Sequence, residues 1–303
     1  MDKETTIITH SGDFHTDDIF AVATVVLVIG EKQYRIVRTR DMDVIETGDY
    51  VVDVGRIYDP ATKRFDHHQG NVGTHENGIP YSAFGLVWKE FGKQLCGGNE
   101  AAAKIIEQRI VVPIDAGDNG IETYNKKELL RPYLFHNIGE VFAPTWKENA
   151  QGINHDGAFG EMVEIAVRIL KREIISATDI LEGEKYVEEA YQKAEDKRII
   201  ILDKRYPWEY VLKKYPEPLF IVKPDSQSSG GQWTVKTVRS DPDSSFASRK
   251  DLPESWGGKS GAALAEVTGI PDAIFCHAAR FIIVTGSKES AIKLARLAVD
   301  NKE

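Results

Sequence analysis

The stretch Ile19 to Ile29 is apolar almost throughout, and it limits the fold more than any other part of the chain. It is too short to span a bilayer and too long for an ordinary strand. Thr16 stands before it as an N-cap with acids in the first turn, so the stretch reads as a helix buried on most sides. The β-branched run Thr5 to Thr9 reads as a buried strand, Tyr34 to Arg38 as the next, and Tyr50 to Val54 as another. Strand, helix, strand in this order predicts an α/β fold with a doubly wound, mainly parallel sheet and a right-handed crossover.

In open sheets of this kind ligands bind at the carboxyl ends of the strands. His10 follows the first strand there, with His15 and Asp17 just beyond, and Asp53 lies near the end of a later strand. Arg56 to Phe65 reads as a hairpin turning at Asp59 to Thr62, and it delivers Asp66-His67-His68. Imidazole nitrogen with carboxylate oxygen suits an ion of the Mn, Zn or Fe type better than Ca. Each group has a bland alternative: Asp17 as a helix cap, the paired histidines as solvated surface. Convergence on one sheet edge favours ligation. The Gly/Asn-rich loop Gly70 to Pro80 is expected to leave His75 in solvent. Tyr81 to Phe91 and Glu100 to Val111 carry apolar residues at helical spacing. Ile114 to Gly120 then reads as a glycine-bearing turn, either an Asx-type loop or the segment whose acid closes a metal site. The pattern resembles a two-metal centre, in which a shared carboxylate bridges ions about 3.5–4 Å apart.

The net charge of −9 excludes a protein that coats long nucleic acid through its overall field. It leaves room for a short strand or a small phosphorylated substrate, because bound divalent ions invert the local sign of an acidic cleft. With 42% hydrophobic and 28% charged residues, the chain is expected to be soluble and globular. Two cysteines, Cys96 and Cys276, build no disulfide framework, and Met1-Asp2-Lys3-Glu4 lacks the basic start of a signal peptide. The expectation is a cytoplasmic protein with no membrane partner.

Later in the chain, Glu161 to Glu173 has helical periodicity, and Glu184 to Lys197 reads as a separate charged helix after Gly183. The expected division is a catalytic domain at 1–182, a connecting helix at 183–198 and a smaller α+β substrate-binding domain at 199–303. Strands are expected at Ile199 to Leu202, Leu219 to Val222, Trp233 to Val238 and around Phe275 and Ile282, with a turn at Pro224 to Gly231 and helices from Ser260 and Ser287. The loop Phe246 to Lys259 joins Arg249 and Lys259 to a glycine pair, which suits a phosphate; an ordinary solvated loop is the plain alternative. His277 and Arg280 are further candidates for a substrate pocket.

His10 to Asp17, Asp53, Asp66-His67-His68 and Asp115 fall in the order of the four motifs of the DHH phosphoesterase superfamily. Thr9-His10 with Phe14-His15-x-Asp17, Val37 to Asp41, Val51 to Gly55, Tyr58-Asp59-Pro60, Asp66 to Gln69, Ile114 to Gly120 and Ser248 to Gly258 are similar to its Myg branch over nearly the whole chain. The resemblance implies a metal-dependent 3′–5′ exonuclease acting on RNA or short oligonucleotides, with two Mn²⁺ or Mg²⁺ ions. It makes His10, His15, Asp17, His67 and Asp115 metal ligands, Asp53 the bridging and catalytic carboxylate, and His68 a catalytic donor facing the substrate. Arg249, Lys259, His277 and Arg280 become substrate-binding residues, and the substrate lies between the two domains. The superfamily spacing is His-x3-Asp-x-Asp, whereas this chain has His-x4-His-x-Asp, so Asp13 competes with His15. The Gly-Gly-His element of the associated domain is missing at Ile282 to Gly286. Other classes left open are a hydrolase of pyrophosphate or cyclic dinucleotides and a non-catalytic metal- or nucleotide-binding protein. The oligomeric state is left open, with a homodimer as one option.

Overall fold

β1 (Thr5–Thr9) is an interior strand of the first sheet, paired in parallel with β2 (Tyr34–Arg38) on one side and β3 (Tyr50–Val52) on the other. The computed structural model describes residues 3–122, 132–225, 231–241 and 246–302. They form two compact units, Met1–Thr178 and Asp179–Glu303.

In the first unit β5 (Arg64–Phe65) joins β3 in parallel and β4 (Tyr58–Asp59) returns antiparallel, giving the order β2-β1-β3-β5-β4. The hairpin turns at Pro60–Thr62, where the Asp59 carboxylate accepts from Ala61 N–H at 3.1 Å. Side chains alternate across the sheet. Ile8 and Val51 join Val54 and Ile45 of α2 (Met42–Ile45) on one face. Ile7 points to the other, where α1 (Thr16–Ile29) lies on β1 and packs against α3 (Ala83–Leu95). Phe20 meets Phe84 there, with ring centroids 5.2 Å apart. Helices on both faces make the sheet doubly wound.

α4 (Glu100–Ile106) passes through a π-helical turn at Glu107–Val111 into α5 (Val112–Asp118). The expected turn at Ile114 to Gly120 is therefore corrected. Pro113 sits just past the π-helical turn, and the helix runs on to Asp118. α6 (Phe135–Phe142) and α7 (Trp146–Ala150) lead to α8 (His155–Lys193), a continuous helix of 39 residues. The two helices expected at 161–173 and 184–197 are one. Gly183 is not a break. A Cβ there would stand 2.6 Å from Pro207 Cδ, so the glycine serves close packing.

The second unit holds a mixed sheet, ordered β6-β7-β8-β10-β9. β6 (Ile199–Ile201) is parallel to β7 (Phe220–Pro224); β8 (Trp233–Thr237), β10 (Ile282–Thr285) and β9 (Ala273–Cys276) follow antiparallel. One face buries Val222, Val235 and Ile283 against Leu294 and Ala298 of α11 (Lys288–Asp300) and Leu264 of α10 (Gly261–Thr268). The other buries Ile200 and Ile221 against Val187 and Tyr191 of α8 and Val211 of α9 (Glu209–Leu212). Of the expected turn at 224–231, residues 226–230 lie outside the described residues. Among the described residues no helix is long and apolar enough to cross a membrane.

Candidate metal centre

The carboxyl edge of the first sheet gathers side chains from five segments. His10 follows β1 directly, Asp53 follows β3, and His67 and His68 follow β5. α1 contributes His15 from its N-cap and Asp17 and Asp18 from its first turn, and α5 contributes Asp118 from its last. The N-cap of α1 is His15 and not Thr16, and Asp18 accepts from the His15 N–H at 3.0 Å. Capping is thus the work of Asp18, which leaves Asp17 free of it. Asp53 adopts φ 55°, the left-handed region that a side chain enters only at a cost. That turn, tied by Asp53 N–H to Phe65 C=O at 3.0 Å, aims the carboxylate at the histidines.

The distances describe one connected cluster. His10 Nε2 lies 3.3 Å from Asp53 Oδ2 and 3.0 Å from Asp18 Oδ2. His67 Nε2 lies 3.4 Å from Asp53 Oδ1, 3.3 Å from Asp118 Oδ2 and 3.9 Å from Asp17 Oδ2. Ligand atoms of three sets, His10–His15–Asp53, Asp53–His67–His68 and His15–Asp17–Asp118, each fall within 4.8 Å of one another. Asp53 and His15 each belong to two of them, and of the two only Asp53 has a carboxylate that can bridge. Asp13 is turned to the surface and pairs with His155 at 3.2 Å, so the geometry favours His15 over Asp13.

Asp115 is elsewhere, and its expected role as a ligand is corrected. Its carboxylate is fully buried and accepts from Ser82 Oγ at 2.6 Å, from Gly85 N–H at 3.0 Å and from His75 Nε2 at 2.7 Å. A Cβ on Gly85 would stand 1.8 Å from Asp115 Oδ2, so only glycine leaves room for this carboxylate. His75 is not solvated either: it is 4% exposed, with Nδ1 2.8 Å from Glu107 Oε1. The acid one helical turn on, Asp118, is the one that meets His67.

The electrostatics fit a divalent ion. Both oxygens of Asp17 and Oδ1 of Asp53 are buried and accept no hydrogen bond from the described residues. A buried carboxylate oxygen without a donor or cation is costly. Burial holds the Asp17 pKa well above the usual carboxylate range, and the charges of Asp53, Asp118 and Asp18 add to it. Burial also disfavours ionised Asp53, but His10 and His67 outweigh it and bring that carboxyl to about 2. For His10, burial favours the neutral ring, yet Asp18 and Asp53 outweigh it and push the pKa up to about 10. The same contest raises His67, chiefly through Asp53. Carboxylates crowded beyond what two histidines neutralise, with nitrogen donors among them, match an Mn- or Zn-type ion.

The model of the uncharacterised protein family UPF0160, the MYG1 exonuclease model, matches residues 6–299. The chain belongs to this family. The MYG1 protein of Schizosaccharomyces pombe is 32% identical over 325 residues, covering 99% of each chain. The MYG1 exonucleases of Bos taurus and Homo sapiens are each 32% identical and span 95% of this chain and 83% and 84% of their own. A solved pGpG-specific phosphodiesterase from Vibrio cholerae matches 98% of this chain at 14% identity, with a TM-score of 0.32.

In this MYG1-family chain the second unit sets the four residues expected at a substrate in different surroundings. Arg249 donates from Nη1 to the carbonyls of Tyr215 at 2.6 Å and Pro218 at 3.1 Å, and from Nη2 to that of Leu212 at 3.3 Å. It closes the chain that leaves α9, and its expected grip on a phosphate is corrected. Arg280 pairs with Asp251 at 3.4 Å in the β9–β10 turn, and His277 Nδ1 accepts from Ala279 N–H at 3.0 Å in the same turn. Lys259 is half-buried, and its carbonyl accepts from Cys276 N–H at 2.9 Å. Gly257 is a packing glycine, since a Cβ there would approach Ala278 O at 3.3 Å.

Proposed function

We propose that the chain is a metal-dependent phosphoester hydrolase that removes nucleotides from the 3′ end of short RNA. The observation that carries this reading is the set of buried, donorless oxygens on Asp17 and Asp53 beside His10 and His67. His10, His15 and Asp53 would hold one ion; Asp17, Asp53, His67 and Asp118 would hold the other, with Mn²⁺ the best match to mixed nitrogen and oxygen donors. Such a pair, when bound, lowers the pKa of a water and neutralises charge on the phosphoryl oxygens.

His68 has a different task. Its Nδ1 lies 2.8 Å from Asp66 Oδ1, and Asp66 is itself fixed by the N–H groups of Arg56 and His68. With Nδ1–H donated to Asp66, the exposed ring turns Nε2 outward, where it hydrogen-bonds a phosphate oxygen and, when protonated, hands a proton to the leaving oxygen. Asp66 orients His68 in the way the third member of a triad orients its base. The names of the bovine and human relatives support an exonuclease, and the net charge of −9 supports a short strand over a long one.

The test is hydrolysis of a labelled five-nucleotide RNA by metal-stripped protein with Mn²⁺ added back. Stepwise release of mononucleotides from the 3′ end, only with metal, is expected. Cleavage of pyrophosphate with intact RNA would overturn the nuclease reading.

A further inference from the structure

Two arginines leave β2 together, and the fold uses them differently. Arg38 is enclosed: it donates to Gly12 C=O at 2.8 Å and to Asp156 at 3.1 Å, and its guanidinium lies 4.6 Å from the Phe159 ring centroid. Its role is packing. Arg40 is exposed and stands at the metal centre. Thr39 N–H donates to Thr9 C=O at 2.9 Å, which carries the β1–β2 pairing one step past its last strand residues and sets Arg40 beside Ser11. Arg40 Nε donates to Ser11 C=O at 3.2 Å, and Nη2 lies 3.2 Å from His10 Nδ1. The other nitrogen of that ring, Nε2, faces Asp18 and Asp53.

The guanidinium is thus held at Nε by Ser11 C=O and lies against the outer edge of His10, with an imidazole between it and the carboxylates. It is separated by the His10 ring from a phosphate held among Asp17, Asp53 and Asp118. It is well placed for the neighbouring phosphate of the same strand, and a fixed planar fork binds phosphate oxygens better than a flexible ammonium. A polyanion nearing this acidic edge also meets repulsion that a fixed cation on the rim offsets.

We propose that Arg40 grips the phosphate next to the one being cut. This rests on the phosphoester-hydrolase reading and narrows its substrate to strands with at least two consecutive phosphates.

The test compares the Mn²⁺-loaded wild type with Arg40→Ala and Arg40→Lys on a 5′-phosphorylated dinucleotide and on bis(p-nitrophenyl) phosphate, which has a single phosphate. Arg40→Ala is expected to lower kcat/KM on the dinucleotide about 10- to 100-fold, mainly through KM, the worth of a charged hydrogen bond. On the single phosphodiester the change should stay below about 2-fold, Mn²⁺ stoichiometry should be unchanged, and Arg40→Lys should recover part of the loss. Equal losses on both substrates with weaker Mn²⁺ binding would make Arg40 a positioning partner of His10 and overturn the proposal. No loss on either, with an active wild type, would overturn it as well. A wild type inactive on both would sink the hydrolase reading, and this inference with it.

Discussion

Asp115 and Asp118 lie one helical turn apart, and their fates separate structure from chemistry. Asp118→Asn should leave folding intact and remove one of two Mn²⁺ ions, because Asp118 Oδ2 meets His67 at 3.3 Å at the open end of α5. Asp115→Asn should do the reverse. It disturbs a carboxylate held by Ser82, Gly85 and His75, so about 1–3 kcal/mol of stability should be lost while both ions still bind. Denaturant unfolding and Mn²⁺ titration of the two variants check this. Two ions on the Asp118 variant would remove Asp118 from the centre. The residues of this segment offered two acids, and the resemblance pointed to Asp115. Both fit the helical period, and the choice depends on how the π-helical turn at Glu107–Val111 sets the face of α5. His75 was hidden for a related reason: its loop is Gly- and Asn-rich, and its partners lie 32 and 40 residues away.

The elements of the sheets were largely legible, since β-branched runs and an apolar helix carry their own period. His10 and Asp53 were placed correctly at the sheet edge because that edge follows from the strand–helix–strand order alone. Helix boundaries were less legible. Gly183 resembles a break by composition, and only contact with Pro207 shows why glycine occupies the middle of α8. Gly183→Ala therefore tests two opposed effects. Helix propensity alone would add about 1 kcal/mol of stability, while a Cβ 2.6 Å from Pro207 Cδ should cost about 1–3 kcal/mol. The net expectation is a loss, read from urea midpoints. A gain would mean that the contact relaxes freely. Arg249 follows the same pattern: a basic loop with glycines looked like a phosphate site, but the guanidinium is taken up by three backbone carbonyls.

At the scale of the molecule, an acidic chain has to recognise an anion, and protons compete with metal for the site that makes this feasible. His10, its pKa pushed up to about 10, holds a proton that an entering ion displaces, and burial of Asp17 favours its protonated form in the same competition. Raising the pH weakens that competition. Mn²⁺ affinity should therefore climb between about pH 6 and 8, and titration calorimetry in buffers of different ionisation enthalpy should record proton release. A flat affinity over this range would contradict the assigned protonation. The central claim is that Asp53 joins two ions, and electron paramagnetic resonance of the Mn²⁺-loaded protein tests it most directly. Two ions about 3.5–4 Å apart through a shared carboxylate should give the broad spectrum of an exchange-coupled pair, which collapses in Asp53→Ala. Two magnetically isolated Mn²⁺ signals in the wild type would contradict the account.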